Sequence, residues 1–165
     1  MGDRWGVTDA EVALAYACDQ FVDGPGLRAW RGVTVHASAT ELWPWVCQIR
    51  AAPYSYDWVD NLGRRSPEVL LDLPEPVVGE PFTCTAGRGV GQVLAVTYER
   101  ELTGRIVGAV MTYRLEPVGP RTTRLLLKVA MATHPAVAVA VSIGDLVMAR
   151  RQLLTFKRLA EHPHR

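Results

Sequence analysis

The feature of this sequence that most limits its fold is an apolar stripe close to its C-terminal end. Within residues 144–161, apolar side chains recur at spacings of three and four: Leu146, Ala149, Leu153, Phe156 and Ala160. That period places them on one face of an α-helix. Such a helix needs an apolar surface to cover, and the segments before it have β-strand patterns. We therefore expect an α+β protein in which a curved antiparallel sheet wraps around a long C-terminal helix.

Two segments ahead of the helix alternate between apolar and polar residues. One, residues 104–118, has an apolar set of Val107, Ala109, Met111, Tyr113 and Leu115. The other, residues 121–132, has the set Leu125, Leu127, Val129 and Met131. A turn at Gly119-Pro120 joins them. The alternation predicts two strands with one dry face under the helix and one wet face.

The remaining elements are less strongly marked. Further strands are expected at residues 27–37, 78–85 and 90–99. Thr8 with Glu11, and Ser38 with Glu41, have the spacing of a capping box, so each pair predicts the start of a helix. The chain of 165 residues is expected to form one domain over residues 1–165. Residues 1–26 are then an N-terminal extension that packs on or near it.

Charge and cysteine content narrow the function classes. A net charge of +1 gives no reason to expect binding to nucleic acid or to an anionic membrane. The longest apolar run, residues 136–143, is far shorter than the ~20 residues that span a bilayer. Cys18, Cys47 and Cys84 form no CxxC pair, and the chain does not begin like a signal peptide. We expect free thiols, a cytoplasmic location, and neither metal nor cofactor.

The most unusual stretch is residues 51–67, which concentrate aromatic and charged side chains. The sequence leaves two interpretations open. In the first, this segment forms the mouth of a binding site, to which Asp57, Trp58, Asn61 and Arg64 contribute. In the second, it is a folded connection in which arginine and aspartate pair and Trp58 fills the core.

Three stretches resemble the START-like superfamily, which includes polyketide cyclases and lipid-transfer proteins. VHASATELWPWVCQIR is similar to its first strand and helix, YRLEPVGPRTTRLLLKV to its late hairpin, and GDLVMARRQLLTFKRLAE to its closing helix. The resemblance covers roughly residues 30–161. It implies a helix-grip fold with a cavity between the sheet and the last helix. Since this fold usually has six or seven strands, it also suggests a further short strand near residues 69–73.

The resemblance and the alternation together give candidate ligand contacts. Tyr113 lies on the predicted inner face with Met111 and Leu127, and either hydrogen-bonds a ligand or is an ordinary core tyrosine. On the helix, Ala149 and Leu153 would contact the ligand from the other side, and the small alanine leaves room. His134 is a weak candidate for a general base, because no carboxylate lies near it in the sequence.

The glycine-rich stretch AGRGVGQ, with Gly87, Gly89 and Gly91, invites comparison with a phosphate-binding loop. No predicted helix follows it and no Lys-Ser/Thr pair is present, so we interpret the glycines as a tight turn or bulge between strands. Some ligand-binding relatives, such as plant pathogenesis-related proteins, carry a glycine-rich loop at a similar point. The resemblance therefore implies that this turn borders the cavity mouth.

Three functions remain open at this point. The first is binding of an apolar or aromatic small molecule, such as a lipid or a polyketide-like compound. The second is a polyketide cyclase or dehydratase, in which Tyr113, His134 or Asp57 would move protons. The third is a protein-interaction module of the chaperone-activator type, which would use the outer face of the sheet. An inward pair of titratable groups within hydrogen-bond reach would favour the enzyme, an apolar cavity without such a pair would favour the binder, and a filled cavity would favour the interaction module.

Overall fold

The computed structural model describes residues 3–56, 62–132 and 135–162, and in the last range it describes side chains from Met148 onward. The strands in chain order are β1 (Arg4–Trp5), β2 (Leu27–Val35), β3 (Thr83–Thr85), β4 (Arg88–Val90), β5 (Gln92–Thr97), β6 (Glu101–Ile106), β7 (Ala109–Gly119) and β8 (Thr122–Met131). The helices are α1 (Asp9–Val12), α2 (Ala39–Cys47) and α3 (Pro135–Glu161), with 3-10 turns at Ala17–Gln20 and Gln48–Arg50.

Six strands form the main sheet in the order β1-β2-β8-β7-β6-β5, and β3 and β4 form a separate hairpin. All neighbouring pairs in the main sheet are antiparallel except β1 with β2. Helix α3 packs against β2 and α2. We call the side of the sheet that faces α3 the inner face and the opposite side the outer face. The predicted α+β arrangement of a curved antiparallel sheet and a long C-terminal helix is confirmed.

The stripe on the last helix is buried as predicted. Ala149, Leu153, Phe156 and Ala160 all lie in the main hydrophobic core, whereas the side chain of Leu146 lies outside the described part. The helix begins at Pro135, nine residues before the predicted start at Gly144. Proline suits the first turn of a helix, where its missing N–H has no partner to lose, and an interior glycine weakens a helix without ending it.

Both predicted capping boxes are present. The hydroxyl of Thr8 accepts the N–H of Glu11 at 3.2 Å, and the Glu11 carboxylate accepts the N–H of Thr8 at 2.8 Å. Ser38 and Glu41 exchange the same two bonds at 3.2 and 2.8 Å. The second box fixes the start of α2 directly after β2, which places its buried face against α3.

One predicted strand proved to be two. Residues 101–106 and 109–119 form an antiparallel hairpin, and its two-residue turn is Val107-Gly108, with φ of 45° and 82°. Positive φ at both central residues is the signature of a type I′ turn, which matches the twist of paired strands. Val107 is 88% exposed, so its predicted place on the inner face is wrong.

The predicted strands before this hairpin need similar correction. Of residues 78–85 only Thr83–Thr85 is a strand, and Val78 is exposed. No strand occurs at residues 69–73, which the structure describes as an irregular, exposed segment. The predicted strand at residues 90–99 begins at Gln92, because Gly91 has φ of 71° and a Cβ there would lie 2.1 Å from the carbonyl oxygen of Arg105.

The predicted wet outer face is also wrong. Residues 6–26, which we call the N-terminal cover, lie over it. An apolar cluster joins the cover to the sheet and consists of Tyr16, Cys18, Trp30, Val110, Leu126 and Ala130. The Cys18 N–H donates to Thr112 Oγ1 at 2.9 Å, and this threonine lies on β7. The main sheet is therefore buried on both sides over much of its area.

Candidate functional site: a cavity under the C-terminal helix

A cavity of about 220 Å³ lies between α3 and the inner face of the sheet. Met111 and Tyr113 on β7 and Leu127 on β8 form its floor, and Met148 and Ala149 on α3 form its roof. Tyr113 and Leu127 are directly paired in the sheet, so the alternation of both strands places them on the same face. Ala149 has only a methyl group, which leaves space at a point where a larger side chain would fill it.

The rim of the cavity is formed by the small hairpin and a neighbouring turn. Thr85 and Val90 come from β3 and β4, and Ile106 comes from the end of β6. The hairpin turns at Ala86-Gly87, with φ of 51° and 84°, which is again a type I′ turn. The glycine-rich stretch thus borders the cavity, as the resemblance implied. A strand follows it instead of a helix, which excludes the phosphate-loop interpretation.

A chain of hydrogen bonds crosses one wall of the cavity. The hydroxyl of Tyr113 donates to Oε1 of Gln152, and Nε2 of Gln152 donates to the carbonyl oxygen of Pro53 at 2.5 Å. Both side chains are buried and both line the cavity. In a largely apolar space, sparse polar groups of this kind fix the orientation of a guest.

Sequence reasoning missed Gln152. The signal that identifies it is its spacing: it lies three residues after Ala149 and four before Phe156, within the buried stripe of α3. A buried glutamine must satisfy its amide group, and the phenol of Tyr113 and the Pro53 carbonyl do so here. A polar residue in an apolar stripe is thus the mark of a buried hydrogen-bond network.

An aromatic cluster holds Tyr113 in position. Its ring centroid lies 6.3 Å from that of Phe82 and 6.3 Å from that of Phe156, which in turn is 5.4 Å from Tyr54. Phe82 fits because Gly104 lies beneath it, where a Cβ would approach a ring atom to 2.0 Å. Ring pairs at these distances stabilise by about 0.5–1.5 kcal/mol beyond burial. The phenol is therefore presented from a fixed position.

The cavity contains few titratable groups. Among the described residues, its lining includes no histidine, aspartate, glutamate, lysine or arginine, and Tyr113 alone carries a titratable side chain. The described part of the chain also has no group of three histidine, cysteine or carboxylate side chains placed to hold a metal ion. An acid–base pair is thus not found in the part of the cavity wall that the structure describes.

The predicted contact residues fall into three groups. Met111, Tyr113, Leu127 and Ala149 line the cavity. Leu153 does not: it is fully buried in the core, so its predicted contact with a ligand is replaced by a packing role.

Arg64 is also absent from the lining. It is exposed, and its Nη1 lies 3.0 Å from the position that a Cβ on Gly87 would take, beside the rim hairpin. Asp57, Trp58, Asn61 and His134 lie outside the described residues, so their predicted roles stay predictions.

Comparison with known proteins identifies the fold. Neither a family model nor a curated protein matches the sequence. A crystal structure of a protein from Mesorhizobium loti matches with a TM-score of 0.56 and 15% identity, over 84% of this chain and 99% of the other. A crystal structure of a protein from Rhodobacter sphaeroides matches with a TM-score of 0.54 and 16% identity, over 87% of this chain and 99% of the other. The chain shares the fold of these proteins, and its curved antiparallel sheet around a long C-terminal helix is the helix-grip arrangement.

A solution structure of a polyketide-cyclase-like protein from Corynebacterium glutamicum is also similar, with a TM-score of 0.49 and 14% identity over 82% of this chain and 91% of the other. The fold assignment does not depend on it. Structural matches at identities of this size show a shared fold and nothing about a shared ligand or reaction. In the described part of the chain, no helix is both long enough and apolar enough to cross a bilayer.

Proposed function

We propose that this protein binds a small apolar or aromatic molecule in the cavity between the sheet and α3. The observation that carries the proposal is the cavity itself, an apolar space of about 220 Å³ with the buried hydrogen-bond chain of Tyr113 and Gln152 on its wall. Apolar lining with a few polar groups is the usual composition of a small-molecule site. The START-like fold is compatible with this function.

The volume limits the ligand. Pockets for drug-sized molecules measure about 300–1,000 Å³, so a cavity of about 220 Å³ suits a smaller guest. One or two fused rings, or an acyl chain of medium length, would fit better than a long lipid. The hydroxyl of Tyr113 and the amide of Gln152 would orient a carbonyl or hydroxyl group on such a molecule.

The two other functions considered receive less support. A cyclase or dehydratase needs groups that give and take protons near the substrate, and the described lining offers Tyr113, whose hydroxyl already donates to Gln152. An interaction module that used the outer face of the sheet would first have to displace the N-terminal cover. Binding without chemistry is the function that the described geometry supports best.

A thermal-shift experiment with two variants of α3 tests the proposal. Naphthalene-type aromatics and alcohols of eight to ten carbons should raise the melting temperature of the wild type by mass action. Ala149→Phe fills the roof of the cavity and should abolish that rise. Leu154→Phe adds a ring at an exposed position of the same helix and should preserve it. If no such compound stabilises the wild type, or if both variants respond alike, the ligand does not occupy this cavity.

The role of the phenol can be tested separately with Tyr113→Phe, which removes the hydroxyl and keeps the ring. Affinity for ligands whose hydroxyl group donates to the phenol oxygen should fall about tenfold, because one hydrogen bond of roughly 1.4 kcal/mol is lost. Affinity for plain hydrocarbons should not change. Calorimetric titration with naphthalene and 2-naphthol measures both. An equal loss for the two compounds would mean that the substitution disturbs the cavity and that the hydroxyl does not orient the ligand.

A further inference from the structure

A second, polar cleft of about 80 Å³ adjoins the apolar cavity. Arg151, Thr155 and Arg158 on α3 form one side of it, and Ser55 and Ser66 form part of the other. Ser55 lines both the cleft and the apolar cavity. The two spaces therefore meet at one residue of the segment that follows Pro53.

The geometry of α3 explains why they adjoin. Ala149 and Gln152 face the apolar cavity, while Arg151 and Thr155 face the polar cleft. Positions 149 and 152 are three residues apart and share one face of the helix, and positions 151 and 155 are four apart and share the next. A molecule that leaves the cavity past Ser55 therefore comes first to the side of the helix that carries Arg151.

The cleft has an excess of positive charge. Its described lining contains Arg151, Arg158 and Glu68, which sum to +1. Arg158 Nη2 lies 2.6 Å from Glu68 Oε1, so this pair is neutral. Arg151 has no carboxylate partner among the described residues, and its guanidinium carbon lies 5.3 Å from the centroid of the Tyr56 ring. The stacked ring holds the guanidinium in place while its N–H groups remain available to an acceptor.

We propose that the ligand is an amphipathic carboxylate, whose apolar body fills the cavity and whose carboxylate binds Arg151 in the cleft. This inference rests on the proposed function of the cavity and adds the chemistry of the head group. A planar guanidinium pairs with a carboxylate through two parallel hydrogen bonds. The small volume of the cleft favours a carboxylate over a bulkier phosphate.

Calorimetric titration with octanoate, octanamide and octyl phosphate tests the inference, because the three share a chain and differ in head group. The wild type should bind octanoate about tenfold more tightly than octanamide. Arg151→Gln should remove that preference and leave octanamide binding unchanged. The matched control is Arg150→Gln: Arg150 is the preceding, exposed arginine, and its guanidinium carbon lies 4.8 Å from the centroid of the Trp5 ring. This control should behave like the wild type.

The outcomes separate the two proposals. Octanoate and octanamide that bind equally, or a preference that survives in Arg151→Gln, would overturn the head-group inference while the cavity function stands. Equal losses in Arg151→Gln and Arg150→Gln would show a general charge effect and overturn it as well. Tighter binding of octyl phosphate would replace carboxylate by phosphate. If neither octanoate nor octanamide binds the wild type, the head-group inference fails, and the thermal shifts with naphthalene-type aromatics and alcohols decide separately whether the cavity function stands.

Discussion

The two faces of the main sheet are both buried, but by different means. On the inner face, β7 and β8 meet α3 through aliphatic and aromatic side chains, and a cavity of about 220 Å³ remains between them. On the outer face, the N-terminal cover is joined to the same strands by ion pairs as well as apolar contacts. Arg124 pairs with Glu11 at 2.6 Å, and Lys128 pairs with Asp19 at 2.6 Å.

The difference between the two faces follows from the shapes of the two segments that cover the sheet. A straight helix laid on a curved sheet contacts it along a line, and small side chains such as Ala149 leave the remaining space empty. A segment of short helical turns and loops, such as residues 6–26, can follow the sheet surface, so charged side chains of β8 find partners on it. Lys128 shows this most clearly: only 5% of the residue is exposed, and its Nζ lies 5.0 Å from the Trp30 ring and 5.3 Å from the Tyr16 ring. The inner face thus retains a cavity, whereas the N-terminal cover closes the outer face.

The largest effect is expected from a charge placed under the helix. Leu153 is fully buried on the inner face, so Leu153→Asp should cost several kcal/mol and unfold the domain or leave it barely stable. The neighbouring Leu154 is 40% exposed, and Leu154→Asp should change stability by less than about 1 kcal/mol. Chemical denaturation of both variants measures the difference. Equal midpoints would mean that α3 does not pack on the sheet through this stripe.

The sequence alone predicted the inner face well. The stripe of α3 and the alternation of Tyr113, Leu115, Leu125 and Leu127 depend only on the helix period of 3.6 and the strand period of two. Both periods were uninterrupted there, and the structure buries these residues against one another. The capping boxes at Thr8 and Ser38 were equally local and equally reliable. Four of the predicted contact residues line the cavity for the same reason.

The predictions that were wrong have physical causes that no local sequence pattern reveals. Val107 continued the alternation of its strand, but the chain reverses there, since the following Gly108 makes a type I′ turn possible. Arg124 and Lys128 looked like residues of a wet face, and their partners Glu11 and Asp19 lie more than 100 positions away. A contact of that kind depends on the tertiary fold. The polar cleft likewise joins Ser55, Ser66 and Glu68 to α3, from which the sequence separates them by more than 80 residues.

A moderate effect is expected from the ion pair of the outer face, in which the buried Lys128 meets the exposed carboxylate of Asp19. Asp19→Ala leaves Lys128 charged and buried without its carboxylate, so stability should fall by about 1–3 kcal/mol. Adding Lys128→Met to this variant should recover part of the loss, because an apolar chain of similar length needs no partner. Denaturant titration of the single and double variants measures this. A double variant less stable than Asp19→Ala would show that the two aromatic rings alone satisfy the lysine. Ligand binding should be unchanged in both, since the cavity lies on the other face.

The smallest expected effect is a pH dependence of stability, and it concerns Glu11 on the outer face. Burial raises the pKa of this carboxyl group, but the hydrogen bonds and charge of Arg124, together with Thr8, outweigh it and lower the pKa below its usual value near 4.5. A lowered folded-state pKa contributes stability that is present above the unfolded-state pKa and is lost as pH falls through the folded-state value. Glu11→Gln keeps a side chain that can complete the capping box and removes only the charge. The free energy of unfolding of the wild type should therefore be larger than that of this variant by about 1 kcal/mol or less at pH 7. This difference should vanish as pH falls well below 4.5.

Glu101 provides the control of opposite sign for this prediction. Burial raises its pKa, and Arg114 offsets the effect only in part. The contribution of the Glu101 carboxyl group to stability is therefore fully present below its unfolded-state pKa. It is lost as pH rises through its folded-state pKa. The stability of the wild type relative to Glu101→Gln should increase as pH falls, whereas its stability relative to Glu11→Gln should decrease. Denaturation midpoints measured from pH 6 to pH 3 test both slopes. Parallel slopes would mean that the Arg124 pair does not hold the cover on the sheet, and the outer face would then open to solvent without loss of stability.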